Sequence, residues 1–206
     1  PARTDPRNKM LEEAANYGKA RPVIRMNGPK GRISYVTPNS LAAYRVLTIS
    51  TKEPETIKWL DAMTPDDVLF DIGANIGLFS LYASAGIGCR VFAFEPEARN
   101  FGLLNENIGE NKVGDLCLAY CLGISDRSGL STMLLSQERL GSSGHQVQDA
   151  LVGSLGVEDR KSRPQGIQTV TLDELVHVHG LPMPSHLKID VDGLEHAIMA
   201  GGQKVL

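Results

Sequence analysis

Several features that define specialised classes of protein are missing from this sequence. Its 206 residues include only three cysteines, an odd number that argues against a complete disulfide framework. No apolar run approaches the roughly 20 residues needed to span a bilayer, and the first residues, PARTDPRNKM, are too polar for a signal peptide. The net charge of −3 lacks the basic excess that is typical of nucleic-acid binding. These absences predict a cytoplasmic protein that spans no membrane and binds no nucleic acid.

The three cysteines do not form a recognisable metal motif. Cys117 and Cys121 lie four residues apart in an apolar run, so on a strand they would share one face. Neither a CxxC pair nor a nearby histidine accompanies them, which leaves zinc ligation without its usual partners. We therefore expect these cysteines to be packed in the interior.

The middle of the sequence alternates between short apolar segments and longer segments with helical spacing. With 42% hydrophobic and 22% charged residues, the composition is that of one ordinary globular domain. Mostly apolar strands separated by helices are typical of a parallel sheet that is covered on both faces. The predicted order is strand 68–71, helix 75–85, strand 90–94, helix 98–111 and strand 116–121.

The two flanks are less regular. Residues 1–30 are polar, and we expect them to be irregular because two prolines, Pro22 and Pro29, interrupt any long helix. The further predicted elements are strand 31–36, helix 54–63, strands 129–135 and 167–172, helix 171–178, strand 186–191 and helix 194–206. The polar stretch 136–166 is predicted to be a mobile substrate loop, since loops of this length are often functional. We divide the chain into an N-terminal irregular or strand extension, 1–45, and a main domain, 46–206.

The stretch DIGANIGLFS, residues 71–80, has the pattern of a strand that enters a glycine turn and then a helix. In the dinucleotide fingerprint GxGxxG, the middle glycine lets the backbone approach a pyrophosphate. Here Asn75 replaces that glycine between Gly73 and Gly77, so a side chain stands where the pyrophosphate would need bare backbone. This replacement disfavours NAD and favours a ligand without phosphate.

An acidic residue follows the turn at the distance expected for a ribose ligand. Glu95 ends the next strand, and its carboxylate could accept both ribose hydroxyls of an adenosine-like ligand. Together with Asp71 it would repel a pyrophosphate but tolerate a sulfonium and a free amino group. The residues therefore indicate S-adenosylmethionine. The alternative is that the glycines only shape a tight turn and that Glu95 is a solvated strand end.

Four segments together resemble those of the FkbM-type S-adenosylmethionine-dependent methyltransferases. They are KEPETIKWLD, DIGANIGLFSLYA, AFEP and LKIDVDGLEHAIMAG, in this order, within residues 46–206. The resemblance implies a three-layer, Rossmann-like α/β class I methyltransferase fold with a mostly parallel sheet, and methyl transfer to a hydroxyl of a sugar, glycan or natural product. The chain ends after a helix that should precede another strand, so we expect the C-terminal strands of the fold to be lacking. A cofactor-binding module that is inactive as this fragment and a nucleotide-dependent oxidoreductase are the alternatives.

The resemblance also implies a set of cofactor-binding residues. The glycine turn would surround the methionine part, the residues after the second strand would hold the ribose, and those after the third would contact adenine. A turn aspartate and an acidic helix N-terminus are common without any ligand, so Asp126 and Glu53 keep a structural alternative. The full set is Glu53, Asp71, Gly73, Ala74, Asn75, Gly77, Glu95, Pro96, Ser125 and Asp126.

Methyl transfer to a hydroxyl also requires a group that accepts its proton, and KIDVDGLE contains the candidates. Asp190 stands inside an otherwise apolar strand and shares a face with Lys188. Asp192 follows the strand, although it and Glu195 could simply cap the next helix. His145, in GSSGH, is the other candidate base. Three carboxylates within six residues could hold a divalent ion, but no fourth ligand can be named, and we predict no metal.

Overall fold

The secondary structure comes from a computed structural model, which describes residues 6–19, 21–135, 141–143, 146–148, 163–191 and 193–206. The helices are α1 (Pro6–Lys19), α2 (Ser40–Lys52), α3 (Pro54–Asp61), α4 (Leu78–Leu81), α5 (Ala98–Asn111), α6 (Leu172–His177) and α7 (Glu195–Ala200), with a π-helical turn at Tyr82–Ile87. The strands are β1 (Val23–Gly28), β2 (Gly31–Val36), β3 (Val68–Ile72), β4 (Arg90–Phe94), β5 (Cys117–Tyr120), β6 (Gly123–Ile124), β7 (Gly129–Leu135), β8 (Gln146–Gln148), β9 (Arg163–Val170) and β10 (His186–Ile189). No helix in these ranges is long and apolar enough to cross a membrane.

The central sheet has four parallel strands in the order β10-β3-β4-β5, which confirms the predicted parallel sheet. From β3 the chain proceeds outwards to β4 and β5, and β10 then returns to the other side of β3. The strand order therefore reverses between β3 and β10. In open sheets of this kind, ligands bind beyond the carboxyl ends of the strands at such a reversal.

Helices cover both faces of this sheet because successive side chains of each strand point in opposite directions. Leu69 of β3 packs in the core that includes the first hairpin and α5. Phe70 packs in the opposite core with α6 and α7, where it meets Phe92 and Phe94 edge to face at centroid distances of 5.4 and 5.5 Å. The three-layer α/β architecture is thereby confirmed.

Strands β6, β7, β8 and β9, which follow β5 in the chain, form a second four-stranded sheet in the order β6-β9-β7-β8. Strand β9 pairs antiparallel with β7 and parallel with β6. It covers Arg163–Val170, whereas the predicted strand is 167–172. The strand ends before Thr171 because the Thr171 hydroxyl accepts the Glu174 N–H at 3.1 Å and caps α6. Strand β8 and the start of β9 fall within the predicted loop 136–166, and most of the other residues of that loop lie outside the described ranges.

The expectation that residues 1–30 are irregular is wrong for the described part. Pro22 lies between α1 and β1, and Pro29 lies in the turn between β1 and β2, so neither proline falls inside an element. Helix α2 was not predicted, although Asn39 caps it by accepting the Ala42 N–H at 2.8 Å. Its buried residues Ala42, Val46 and Ile49 follow helical spacing.

In place of the predicted helix 75–85, the structure has the short helix α4, which begins at Leu78, and then the π-helical turn, which ends at Ile87. Gly77 has a φ of 85°, and a Cβ there would stand 2.4 Å from Leu104, so the turn continues until α4 begins at Leu78. The π-helical turn follows, and within it the Ser84 hydroxyl donates to the Ser80 carbonyl at 2.7 Å.

One prediction for the cysteines is also wrong. Cys89 and Cys117 are buried, but Cys121 is exposed. Because β5 ends at Tyr120, Cys121 has left the strand and no longer shares the buried face of Cys117.

Asn107 joins the first hairpin to the glycine turn from inside the protein. Its Oδ1 accepts the Val36 N–H at 2.7 Å, and its Nδ2 donates to the Ile76 carbonyl at 2.8 Å. The side chain is fully buried, so these two backbone groups have no access to water. The position of the turn thus depends on a polar side chain of α5.

Replacing Asn107 by alanine is expected to destabilise the fold. The change leaves two buried backbone groups without partners, and each such group costs about 1–3 kcal/mol. Chemical denaturation should show a loss of that order, whereas Asn105→Ala, an exposed position on the same helix, should change the free energy of unfolding by less than about 1 kcal/mol. Equal stability of the two variants would contradict this role.

Candidate functional site

A cleft lies at the carboxyl edge of the central sheet, where the strand order reverses. It has a volume of about 710 Å³ when the space open to solvent is included. Gly73 after β3, Glu95 after β4 and Asp190 after β10 contribute to its lining, together with Ser125 after β6. The sequence thus brings residues from separate strands to one place, as parallel strands do when their carboxyl ends meet.

Gly73 allows the first turn to pass close to the end of β10. Its φ is 79°, and a Cβ at this position would stand 2.1 Å from the Asp190 carbonyl oxygen. The N–H groups of Gly73 and Ala74 both donate to the Phe94 carbonyl at 3.0 Å. The turn is therefore held between β4 and β10, and any larger residue at Gly73 would push it out of place.

The Glu95 carboxylate is buried beside the glycine turn and accepts two backbone hydrogen bonds. Its Oε2 accepts the Asn75 N–H at 2.7 Å, and its Oε1 accepts the Glu97 N–H at 2.8 Å. Burial raises the pKa of Glu95 from 4.5 to about 7, although these two N–H groups lower it. Glu95 contributes to the lining of the cleft, and each of its carboxylate oxygens has a second lone pair beyond the one used by the backbone N–H.

Lys188 lies between two carboxylates at the end of β10. The register of the sheet places Lys188 beside Asp71, with 3.6 Å between Nζ and Oδ1, and Nζ also lies 3.0 Å from Oδ2 of Asp190. Burial alone would lower the pKa of Lys188, but the charges of Asp71 and Asp190 raise it above its ordinary value. The ammonium ion also lies 4.7 Å from the centre of the Phe79 ring. The group is therefore a lysinium with two carboxylates, and it carries a net charge of about −1.

Asp190 is the member of this group that faces the cleft. Its side chain is 62% exposed, whereas that of Asp71 is 1% exposed and accepts the Ser80 hydroxyl at 2.5 Å. An accessible carboxylate held by a lysine can accept a proton from a bound molecule. The other two candidate bases, Asp192 and His145, lie outside the described residues. Within the described ranges, no group of three or more His, Cys, Asp or Glu side chains could hold a metal ion.

The other predicted binding residues are divided between the cleft and its surroundings. Those that line the cleft are Gly73, Asn75, Glu95, Pro96 and Ser125. Asp71, Ala74 and Gly77 are buried and do not line the cleft. Asp126 accepts the Ser125 hydroxyl at 3.2 Å, and Glu53, which is exposed just before α3, accepts the Thr56 hydroxyl at 3.2 Å. For all ten predicted residues, contact with a ligand stays a prediction.

The lining residues that were not predicted include Asn100 and Ser142. Asn75 and Asn100 each donate an Nδ2 hydrogen to the Ser142 carbonyl, at 2.9 and 3.2 Å. Asn100 was detectable, because it lies on the buried stripe of α5 with Leu103 and Leu104, where a polar residue needs a partner. Ser142 gives no such signal in the sequence.

Replacing Lys188 by methionine is expected to destabilise the fold by about 3–5 kcal/mol, because the buried Asp71 carboxylate would lose its counter-ion. The double variant Asp71→Asn/Lys188→Met should recover part of this loss in chemical denaturation. Lys58→Met, on the exposed surface of α3, serves as the control. An equal loss in the single and double variants would show that the ion pair is not the cause.

Comparison with known proteins gives both a family and individual relatives. The family described as "Methyltransferase FkbM domain" matches residues 71–206. Hexuronic acid methyltransferase AglP of Haloferax volcanii is 32% identical over 143 residues, which are 69% of this chain and 52% of that protein. The 31-O-demethyl-FK506 methyltransferase FkbM of Streptomyces tacrolimicus is 30% identical over 162 residues, which are 68% of this chain and 60% of that protein. The chain therefore spans about half to three fifths of the length of these relatives.

Among solved structures, the precorrin-6y C5,15-methyltransferase of Geobacter metallireducens is similar over 84% of this chain and 62% of that chain. The identity is 16% and the TM-score is 0.43.

Proposed function

This chain belongs to the FkbM methyltransferase family, and from that premise we propose that it transfers a methyl group from S-adenosylmethionine to a hydroxyl oxygen. The observation that carries the proposal is the cleft itself. Gly73, Glu95 and Asp190 come from three neighbouring strands and line one space at the reversal of strand order. A glycine turn, a ribose acceptor and a proton acceptor are thus available to one bound molecule.

The residues of the cleft fit this cofactor in their chemistry. The Glu95 carboxylate would accept the ribose hydroxyls, and the Gly73 turn would let the methionine part approach the backbone. The net negative charge of Asp71, Lys188 and Asp190 favours a sulfonium and opposes a pyrophosphate. Leu122 and Ile124 supply apolar lining next to Ser125, where adenine would lie. When bound, the cofactor supplies a methyl carbon that is activated by positive sulfur.

The chain's own contribution is to position the acceptor and to take its proton. Asp190 would accept the hydroxyl proton, and the Lys188 ammonium would keep the Asp190 side chain oriented through the 3.0 Å hydrogen bond. A positioned base contributes about 10²–10⁴-fold to such a rate, and alignment of the reacting groups adds to this. Asp192 and His145 remain alternative bases.

The relatives suggest the class of acceptor. One is named for a hexuronic acid and the other for a demethylated natural product. We therefore propose a hydroxyl of a sugar, glycan or natural product. The chain spans only part of both relatives. We therefore also propose, as part of the same hypothesis, that this chain is active by itself.

The binding of S-adenosylhomocysteine tests the cofactor assignment and should depend on pH. If ionised Glu95 accepts the ribose hydroxyls, affinity should rise between pH 6 and pH 8, because the pKa of Glu95 is about 7 in the free protein. At pH 6 the affinity should be about tenfold weaker than the plateau above pH 8. Calorimetry in two buffers of different ionisation enthalpy should show proton release on binding at pH 6.

Two controls make this measurement decisive. Glu95→Gln should bind more weakly at pH 8 and lose the pH dependence, since the amide cannot ionise. NAD should bind neither protein. No binding of S-adenosylhomocysteine to the natural sequence would contradict the proposed function.

Replacing Asp190 by asparagine tests the proton acceptor separately. The amide oxygen can still accept the Lys188 hydrogen bond, so affinity for S-adenosylhomocysteine should stay within about twofold, while turnover falls by at least about 10²-fold. Turnover is measured as labelled methyl transfer to the acceptor that the natural sequence methylates best in a screen of glycans and natural products. Unchanged turnover would remove Asp190 from this role, and His145→Gln is then the next variant.

A further inference from the structure

Residues 141–143, which we call the roof segment, form part of the wall of the cleft. Ser142 and Ser143 contribute to its lining, and Gly141 and Ser142 are buried. The segment is far in sequence from the glycine turn, with 67 positions between Asn75 and Ser142. Its placement therefore depends on tertiary contacts.

Two asparagines hold the roof segment from the side of the cleft. The Ser142 carbonyl accepts hydrogen bonds from Asn75 and Asn100, at 2.9 and 3.2 Å. The Asn100 Oδ1 also accepts the Gly141 N–H at 2.7 Å. Asn100 is 1% exposed, so water cannot replace these partners. The side-chain amide of Asn100 thus donates to the Ser142 carbonyl and accepts from the Gly141 N–H.

Helix α2 holds the roof segment from the other side. The Arg45 guanidinium donates to the Ser143 hydroxyl at 3.0 Å. Gly141 has a φ of 84°, and a Cβ at this position would lie 3.7 Å from Ala42, so the segment packs closely on the helix. The roof segment is therefore fixed between α2 and α5.

Both asparagines are also linked by hydrogen bonds to Glu95, the proposed ribose acceptor. The Asn75 N–H donates directly to Oε2 of Glu95. The Asn100 N–H donates to Oε2 of Glu97 at 2.7 Å, and the Glu97 N–H donates to Oε1 of Glu95 at 2.8 Å. A ligand that binds Glu95 would thus contact a carboxylate that is hydrogen-bonded to Asn75 directly and to Asn100 through Glu97. These two asparagines are the residues that hold the roof segment.

From this arrangement we propose that Asn100 is a positioning residue that keeps the roof segment closed over the bound cofactor and so slows its release. The inference rests on the proposed function, because it assumes that the cleft holds the cofactor. Asn100 does not react; it acts through Gly141 and Ser142. Loss of its contacts should shorten the residence time of the cofactor and leave the ribose acceptor in place.

The test compares Asn100→Asp with Asn105→Asp in the dissociation rate of S-adenosylhomocysteine. At position 100 the carboxylate keeps an acceptor for the Gly141 N–H but loses the donor to the Ser142 carbonyl, and dissociation should be about fivefold faster. The first turn of α5 favours an aspartate through the helix dipole, but position 100 is buried, so the added carboxylate costs stability and folding of the variant is checked first. Asn105→Asp makes the same chemical change at an exposed position of α5 and should leave the rate unchanged.

Hydrogen exchange of the Gly141 amide gives a second readout, which does not depend on the ligand. In the free protein this amide should be protected in the natural sequence, should exchange about fivefold faster in Asn100→Asp, whose roof segment opens more often, and should exchange at least about tenfold faster in Asn100→Ala, which also lacks the acceptor. Asn75→Gly removes the other donor to Ser142 while a glycine keeps the left-handed backbone, whose φ is 52° at Asn75. It should also speed dissociation, and Asn100→Ala replaces Asn100→Asp in the rate measurement if that variant does not fold.

The outcomes separate this inference from the proposed function. If the natural sequence does not bind S-adenosylhomocysteine, the proposed function fails and the inference fails with it. If it binds but dissociation is as slow in Asn100→Asp and Asn75→Gly as in the natural sequence, only the positioning role is overturned. Faster dissociation in both variants together with fast Gly141 exchange in Asn100→Ala supports it.

Discussion

The site depends on one buried carboxylate. Glu95 accepts N–H groups from the glycine turn on one side and from the start of α5 on the other. An apolar residue at this position would avoid the cost of burying the carboxylate, but it would leave both N–H groups without a partner. The arrangement therefore fixes the turn and α5 relative to each other, and the carboxylate that does so also lines the cleft.

A second constraint comes from the register between β3 and β10. This register places Lys188 beside Asp71, and Asp190, which follows directly after β10, lines the cleft. Buried ion pairs often add little net stability compared with apolar residues of the same shape. In this protein the same ammonium also donates a hydrogen bond to the accessible carboxylate of Asp190. Lys188 thus compensates a buried carboxylate and, under the proposed function, also orients the candidate proton acceptor.

The sequence was sufficient for the central sheet and for part of the site. Strand β4, at Arg90–Phe94, and helix α5, at Ala98–Asn111, were predicted with the bounds that the structure has, because an apolar run and a helical stripe are local signals. Gly73, Glu95 and Asp190 were predicted to meet because they follow parallel strands, a rule of topology that needs no side-chain detail. Helix α2 was missed although Asn39 gives a local capping signal, so that error was avoidable.

The roof segment was not predictable in this way. Its contacts join Ser142 to residues 67 and 42 positions earlier, and no periodicity links a loop carbonyl to two asparagine amides. The sequence does contain polar residues on the otherwise apolar stripe of α5, and these need partners. Asn100 and Asn107 both occupy such positions, and both hold backbone groups of other elements.

The backbone amides that surround Glu95 provide the most direct test of the central claim that this carboxylate binds the cofactor's ribose. The measurement is a titration of the ¹⁵N-labelled protein with S-adenosylhomocysteine, followed through the amide resonances of Asn75, Glu97 and Gly141. All three should shift together and saturate at one equivalent of ligand, since the first two donate to Glu95 and the third belongs to the roof segment. Binding that leaves the Asn75 and Glu97 resonances unchanged would contradict the assignment of Glu95 as the ribose acceptor.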